Sequence, residues 1–392
     1  MSLQSDFQQL HQLLRRYQDY WQLMPFAQKS WPWSHPQLQQ QLASLTDQQV
    51  AELDRDPANR QAYLIDLFPE LASLPEIKRL PVAQPSPELP FWLSNGIPGR
   101  KVGQISQFCQ RVTDSSLPVL EWCAGKGHLG RMLAYSQQRQ VQSLEWQLPL
   151  CQQGQQLAEK YQLSQQFIHA DALSAQGSAA LKPAQQVLAL HACGELHLQL
   201  LRAATEHDCQ HVQLVPCCYH LIPQPFYQPI SQQGQQRDLV LSQHDLKLAV
   251  QGQVTAGARI ARLRHQEVEW RLAFQALRAN ITGQPHYQPL NSVAKHIFSG
   301  DFIDFARWAA EQHQLTLPEA LDSEYYLEQG RQHAQLVRRI ELVRHLFQRP
   351  LELWLLHDRA LFLQQQGYQV ELGTFCPAAL TPRNLMIRAS KE

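Results

Sequence analysis

The strongest constraint on this chain is ten residues long: Glu121-Trp-Cys-Ala-Gly-Lys-Gly-His-Leu-Gly130. The apolar run Leu117-Pro-Val-Leu120 leads into it and ends in an acid. A small-residue loop begins two residues later, and Leu129, Met132 and Leu133 then repeat at helical spacing. A buried strand, a tight turn and a helix start are expected in that order. Such a junction exposes backbone N–H groups and lets a ligand approach the main chain, because glycine has no Cβ to hold it off. A nucleotide-type cofactor is the expected occupant.

Short apolar strands alternate with helices from this point on. Val119-Leu120, Val141 to Leu144, Phe167-Ile168, Val187 to Leu190 and Val212 to Val215 read as strands. Helical stretches at 129–138, 148–160 and 196–205 separate them. That alternation predicts a parallel sheet covered on both faces. Residues 221–350 break the pattern with long helical stretches near 255–279, 301–313 and 324–347. Leu351 to Gln366 then reads as a helix, with strands at Tyr368 to Phe375 and Leu385 to Arg388. Upstream, Leu3, Phe7, Leu10, Leu14, Tyr17 and Trp21 form one helical face over 3–24. Trp31-Pro-Trp-Ser-His-Pro36 breaks it, Thr46 and Gln49 form a candidate capping box, and Pro81 to Pro90 reads as a stiff linker. The expected division is a helical unit with linker at 1–90, an α/β core at 91–220, a helical insertion at 221–350 closing over the cleft, and the last helix and strand pair at 351–392.

Charge is balanced, with 34 basic and 34 acidic residues, so net charge does not argue for a polyanionic partner. The eight cysteines do not have the spacing of a small disulfide framework. No basic segment precedes an apolar stretch at the N-terminus, and no run approaches the ~20 residues that span a bilayer. A cytoplasmic protein with reduced thiols, no membrane partner and a monomeric state is expected.

Gly125-Lys-Gly-His-Leu-Gly130 is a literal dinucleotide fingerprint, and Glu145 falls where a ribose-binding acid would. Three features favour S-adenosylmethionine instead. Glu121 ends the first strand, where its carboxylate would repel a diphosphate and attract a cationic methionine end. The glycine series runs Cys123, Gly125, Gly127, so the turn opens one step earlier, and Ala124 belongs to the same cofactor loop. Asp171, with Ala172 after it, ends the third strand, where it can accept an adenine amino group. Gly127, His128 and Leu129 complete the expected cofactor set.

His191-Ala-Cys-Gly194 ends the fourth strand and Val215-Pro-Cys-Cys-Tyr-His220 the fifth. Ligands of open parallel sheets sit beyond these carboxyl ends. His220 and His191 are candidate bases, Cys217 and Cys218 candidate nucleophiles. His191, Cys193, Cys217, Cys218 and His220 are residue types that could ligate zinc, but their spacing fits no common structural zinc motif, and no metal is expected.

Together these motifs resemble one branch of the class I methyltransferases. That branch includes the methyltransferase-like proteins described as ribosomal RNA adenine dimethylase domain-containing and the glutathione S-transferase C-terminal domain-containing protein. The tRNA acceptor-stem ribose methyltransferases are more distantly similar. Gly99-Arg-Lys101 resembles the basic element before their first strand, and Thr381-Pro-Arg-Asn384 their Ser-Pro-Arg-Asn. The resemblance covers roughly 95–220 and 350–390. Cys123 departs from the usual glycine and Thr381 from serine. The resemblance implies a Rossmann-like sheet of seven strands with the last one antiparallel, S-adenosylmethionine as cofactor, and methyl transfer to RNA. Arg100, Lys101, Tyr219, Arg383 and Asn384 are expected at the substrate, with His191 also touching cofactor. The clusters Arg259, Arg262, Arg264 and Arg338, Arg339, Arg344 favour an RNA partner, although 221–350 carries only 14 basic against 12 acidic residues. Methylation of a protein or small molecule is the alternative, and a non-catalytic scaffold retaining the cofactor pocket is another.

Overall fold

The computed structural model describes residues 2–84, 89–113, 115–251 and 258–391. Seven strands make one sheet in the order β3-β2-β1-β4-β5-β7-β6. They are β1 (Val119–Trp122), β2 (Val141–Glu145), β3 (Gln165–His169), β4 (Gln186–Cys193), β5 (His211–Cys217), β6 (Gln369–Thr374) and β7 (Leu385–Ser390). β1 to β5 pair in parallel, and β7 runs antiparallel to both β5 and β6. This is the Rossmann-like α/β sheet expected from the alternation, with its last strand reversed.

Helices cover both faces, which is why β4 carries the unbroken apolar run Val187 to Leu190. All four residues of β1 are buried. On one face, Ile105, Phe108, Leu129, Met132 and Leu133 pack in one cluster with Val119, Val141, Leu188, Val215 and Met386. Each fully buried Leu or Phe contributes roughly 1.5–3 kcal/mol. The helix Gln348–Gln365 is buried along most of its length. An apolar helix of that kind must be covered all round. Phe7, from the helix Leu3–Arg16, stacks on its Trp354 with ring centroids 5.2 Å apart.

The chain forms two compact units: Met1–Arg16, Ser73–Gln253 and Gln348–Glu392 make the first, Tyr17–Ala72 and Val254–Phe347 the second. The expected division at 90, 220 and 350 runs differently. The first helix leaves the N-terminal segment to cover Gln348–Gln365. Residues after β5 also stay with the sheet, because the buried Asp358 carboxylate accepts hydrogen bonds from Tyr227 Oη, from Ile230 and Ser231 N–H, and from Ser231 Oγ. The stretch from Pro81 is tied down too: Ala83 and Gln84 N–H both donate to Gln110 O, and Leu80 N–H donates to Thr374 O of β6. Residues 85–88 of that expected linker lie outside the described residues. Within the second unit, Trp270, Phe274, Phe298, Phe302 and Phe305 build an aromatic core. Thr46 and Gln49 form the expected capping box.

Candidate cofactor and substrate site

The turn after β1 is built from left-handed residues. Cys123, Gly125 and Gly127 have φ of 57°, 59° and 63°. A Cβ on Gly127 would lie 2.4 Å from Gln165 Nε2 and from Phe167 Cζ, so any other residue would have to displace both side chains and take a strained φ. Cys123 adopts the conformation without glycine's freedom, which strains this position. Gly125 N–H donates to Glu145 Oε2 at 2.8 Å and Gln147 N–H to Glu145 Oε1 at 2.9 Å. Glu145 therefore braces the turns after β1 and β2 together. Each of its oxygens keeps a further lone pair for a ligand.

Glu121 points inward. Its Oε2 accepts from Ser143 Oγ at 2.7 Å, and the Gly130 backbone and the Lys101 and Arg131 charges also hold it. Burial outweighs these partners and pushes its carboxyl up to about 7. Gln165 Nε2 donates to Ser143 Oγ and to Gly127 O, both at 2.9 Å. Sequence reasoning missed Ser143 and Gln165. Their signal was a polar residue inside an apolar strand beside the glycine turn. Trp146, Leu148 and Leu173, also unremarked, are exposed apolar side chains at the ends of β2 and β3. An indole and two aliphatic side chains near Glu145 and Asp171 suit the faces of an adenine ring. Asp171 is exposed, its Oδ1 accepting from Leu173 N–H at 2.9 Å. Ala172 is buried beside it, and Ala124 is half-buried in the turn.

Lys101 is the cation that links the strand ends. It is within electrostatic reach of Glu121, His128, His191 and Cys217. Burial, then Arg131 and Lys101, push His128 down to about 4. His191 has φ 64° at a bulge in the β4–β5 pairing. Its Nε2 meets Gln104 Oε1 at 3.1 Å, and burial, with Lys101 and Arg383, pushes it down to about 3. Gly194 has φ 55°, and a Cβ there would lie 2.0 Å from Leu221 O. That close approach folds the two strand-end motifs together. Glu195 starts the next helix and pairs with Arg202 at 2.7 Å.

Cys193 Sγ and Cys217 Sγ are 3.1 Å apart, and with Cys218 all three sulfurs lie within 4.8 Å of one another. Hydrogen bonds from Cys193 and Cys217 hold the Cys218 thiol low, and the Arg383 and His220 charges add to this. Cys217 moves up, through its hydrogen bonds to Cys193 and Cys218 and its burial. His220 is half-buried, its Nδ1 has no hydrogen-bond partner, and burial lowers its basicity below the ordinary imidazole.

Glu121, expected at the cationic end of the cofactor, is instead buried and engaged by Ser143, and three further expected site residues sit elsewhere. Leu129 is in the core cluster. Tyr219 is buried beneath Arg359, whose guanidinium lies 4.9 Å from its ring centroid, so it faces the interior rather than a substrate. Asn384 is buried and donates to Cys376 O at 2.7 Å, bracing the β6–β7 loop. Arg100 is exposed, whereas Arg383 is half-buried near Cys193, Cys218 and His191. The second arginine cluster is structural as well. Arg344 is buried and donates to Trp21 O, Arg339 to Leu42 O, and Arg338 pairs with Glu269 at 2.6 Å. Arg259 and Arg262 are exposed.

Residues 100–225 match a family model described as a methyltransferase domain. No curated protein matches the chain. Among solved structures it is similar to coclaurine N-methyltransferase bound to N-methylheliamine and SAH. There the identity is 14%, the TM-score 0.26, and the coverage 45% of this chain and 61% of that one. The domain match coincides with β1 to β5 and both strand-end motifs. Among the described residues no helix is long and apolar enough to cross a membrane.

Proposed function

We propose that the chain is an S-adenosylmethionine-dependent methyltransferase whose substrate is RNA. The observation that carries the cofactor assignment is the Glu145 carboxylate fixing the Gly125 turn, with Asp171 and exposed Trp146 and Leu173 beside it. In this reading the Gly125–Gly127 loop lies under the methionine end. Glu145 takes the ribose hydroxyls, and Asp171 takes the adenine amino group with Trp146 against the ring. Lys101 meets the methionine carboxylate.

The sulfonium is already activated, so transfer rests mainly on placing the acceptor in line with the methyl group. His220 serves as base for an acceptor hydroxyl. Its ring is half-buried and neutral near pH 7. His191 is the weaker candidate, because Gln104 engages its Nε2 and its basicity is pushed down to about 3. In this reading Arg100 and Arg383 meet the RNA phosphates. The RNA assignment rests on the resemblance to RNA-modifying branches of the methyltransferases, with exposed Arg259 and Arg262 in support. A cytoplasmic location goes with it.

Nucleoside mass spectrometry of total RNA from a deletion strain and its parent tests the substrate. One methylated nucleoside should disappear and return when the gene is restored. Unchanged RNA nucleosides, together with a lost methyl mark on protein, would overturn the RNA reading.

A further inference from the structure

We propose that Cys193, Cys217 and Cys218 form a zinc site with three thiolate ligands and one open coordination position. In sequence, the cysteines fit no common zinc spacing, because Cys193 is far from the adjacent pair. The sheet removes that separation. Cys193 and Cys217 are register partners in the parallel β4–β5 pair. Cys218 then turns back at a φ of 44°, a costly conformation for a residue with a Cβ. The fold thus accepts backbone strain at the position that adds a third sulfur.

The three sulfurs lie within 4.8 Å of one another. Tetrahedral zinc, with Zn–S of about 2.3 Å, sets sulfurs roughly 3.8 Å apart. The 3.1 Å contact between Cys193 and Cys217 must open by a few tenths of an ångström to reach this. Competing partners are weak. Cys193 Sγ reaches His191 O at 3.5 Å and Cys217 Sγ reaches Ala192 O at 3.7 Å. Charge also fits. Three thiolates on a divalent ion leave one net negative charge, with Arg383 in reach of Cys193 and Cys218, and Lys101 in reach of Cys217. On binding, three S–Zn bonds form and the protons of whichever sulfurs are still thiols leave to solvent. Cys217 is buried while Cys193 and Cys218 are half-buried, so the open position lies on the side of the latter two. Three protein ligands with a free fourth place is the arrangement of reactive rather than purely structural zinc.

The test uses the full chain purified without chelator from zinc-supplemented culture. Elemental analysis should find about one zinc per chain. Cobalt exchanged into the wild-type protein should give a near-ultraviolet thiolate-to-cobalt charge-transfer band. Cys193→Ser and Cys218→Ser should lose both signals, and Cys209→Ala should keep them. Calorimetry with S-adenosylhomocysteine, run on each protein, separates this site from the cofactor reading. Metal loss with cofactor binding intact supports an independent zinc site. Absence of metal from the wild type would overturn the proposal, whether or not cofactor binds. Formation of a Cys193–Cys217 disulfide where zinc was expected would do so equally, as would full zinc occupancy in both serine variants.

Discussion

At the scale of single residues, two acids at neighbouring strand ends behave differently. Glu145 holds two backbone N–H groups and remains able to accept more. Glu145→Ala should weaken S-adenosylhomocysteine binding by roughly 1–3 kcal/mol, the scale of a lost buried hydrogen bond to a charged group. Calorimetry reads this directly, and unchanged affinity would remove Glu145 from the site. Glu121 is buried among Ser143, Gly130 and two cations, with its carboxyl raised to about 7. The folded state therefore binds a proton more tightly than the unfolded one, and the stability this gives is full below about pH 4.5 and lost as pH rises through 7. Glu121→Gln should raise the melting temperature more at pH 8 than at pH 5, a difference worth about 1–3 kcal/mol. Equal shifts at both values would contradict the assignment. His220 supplies the third residue-scale expectation. Its lowered basicity keeps it neutral through pH 7, so turnover should fall only on the acid side, below pH 6.5. His220→Ala should cost about 10²–10⁴-fold in rate and abolish that acid limb. A variant with an unaltered pH–rate profile would leave positioning alone as the source of catalysis.

At the scale of elements, the glycines after β1 and in the following helices set how closely layers approach. A Cβ on Gly154 would lie 2.1 Å from Phe167 Cζ, so Gly154→Ala should destabilise by about 1–3 kcal/mol. Phe167→Leu in the same chain should relieve most of this in urea unfolding. A neutral Gly154→Ala, or no relief, would show that the helix Leu148–Lys160 can shift at little cost. Strand and helix positions were legible because burial on both faces favours apolar strands, as in Val187 to Leu190 of β4. The polar bracing under the turn was not. Ser143 and Gln165 become meaningful only when parallel register sets them beside Glu121 and Gly127. Tyr219 and Asn384 were misjudged for a related reason. Chemically capable side chains in a motif face inward when a buried Arg359 or the Cys376 carbonyl claims them.

At the scale of the whole molecule, the order of elements was legible and their grouping was not. Which helix covers Gln348–Gln365 depends on long-range apolar matching, which local periodicity does not encode. The second unit has its own titrating group, in which His345 pairs with Glu341 and Asp54. Burial alone would depress His345, but the two carboxylates outweigh it and raise it, while His345 and Arg344 hold Glu341 down to about 2 despite its burial. The stability from His345 is present below pH 6.5 and lost as pH rises through its folded value. That from Glu341 is present above pH 4.5 and lost toward pH 2. Thermal scans should therefore find the chain less stable at pH 8 than at pH 6, with His345→Gln flattening that slope. An unchanged slope would remove this group from the pH response. The central claim is that the turn after β1 binds S-adenosylmethionine. Titration calorimetry of the wild-type chain with S-adenosylhomocysteine, with NADH as the competitor, tests it most directly. One saturable site per chain, undisturbed by NADH, is the predicted result; no binding, or tight NADH binding in its place, would contradict it.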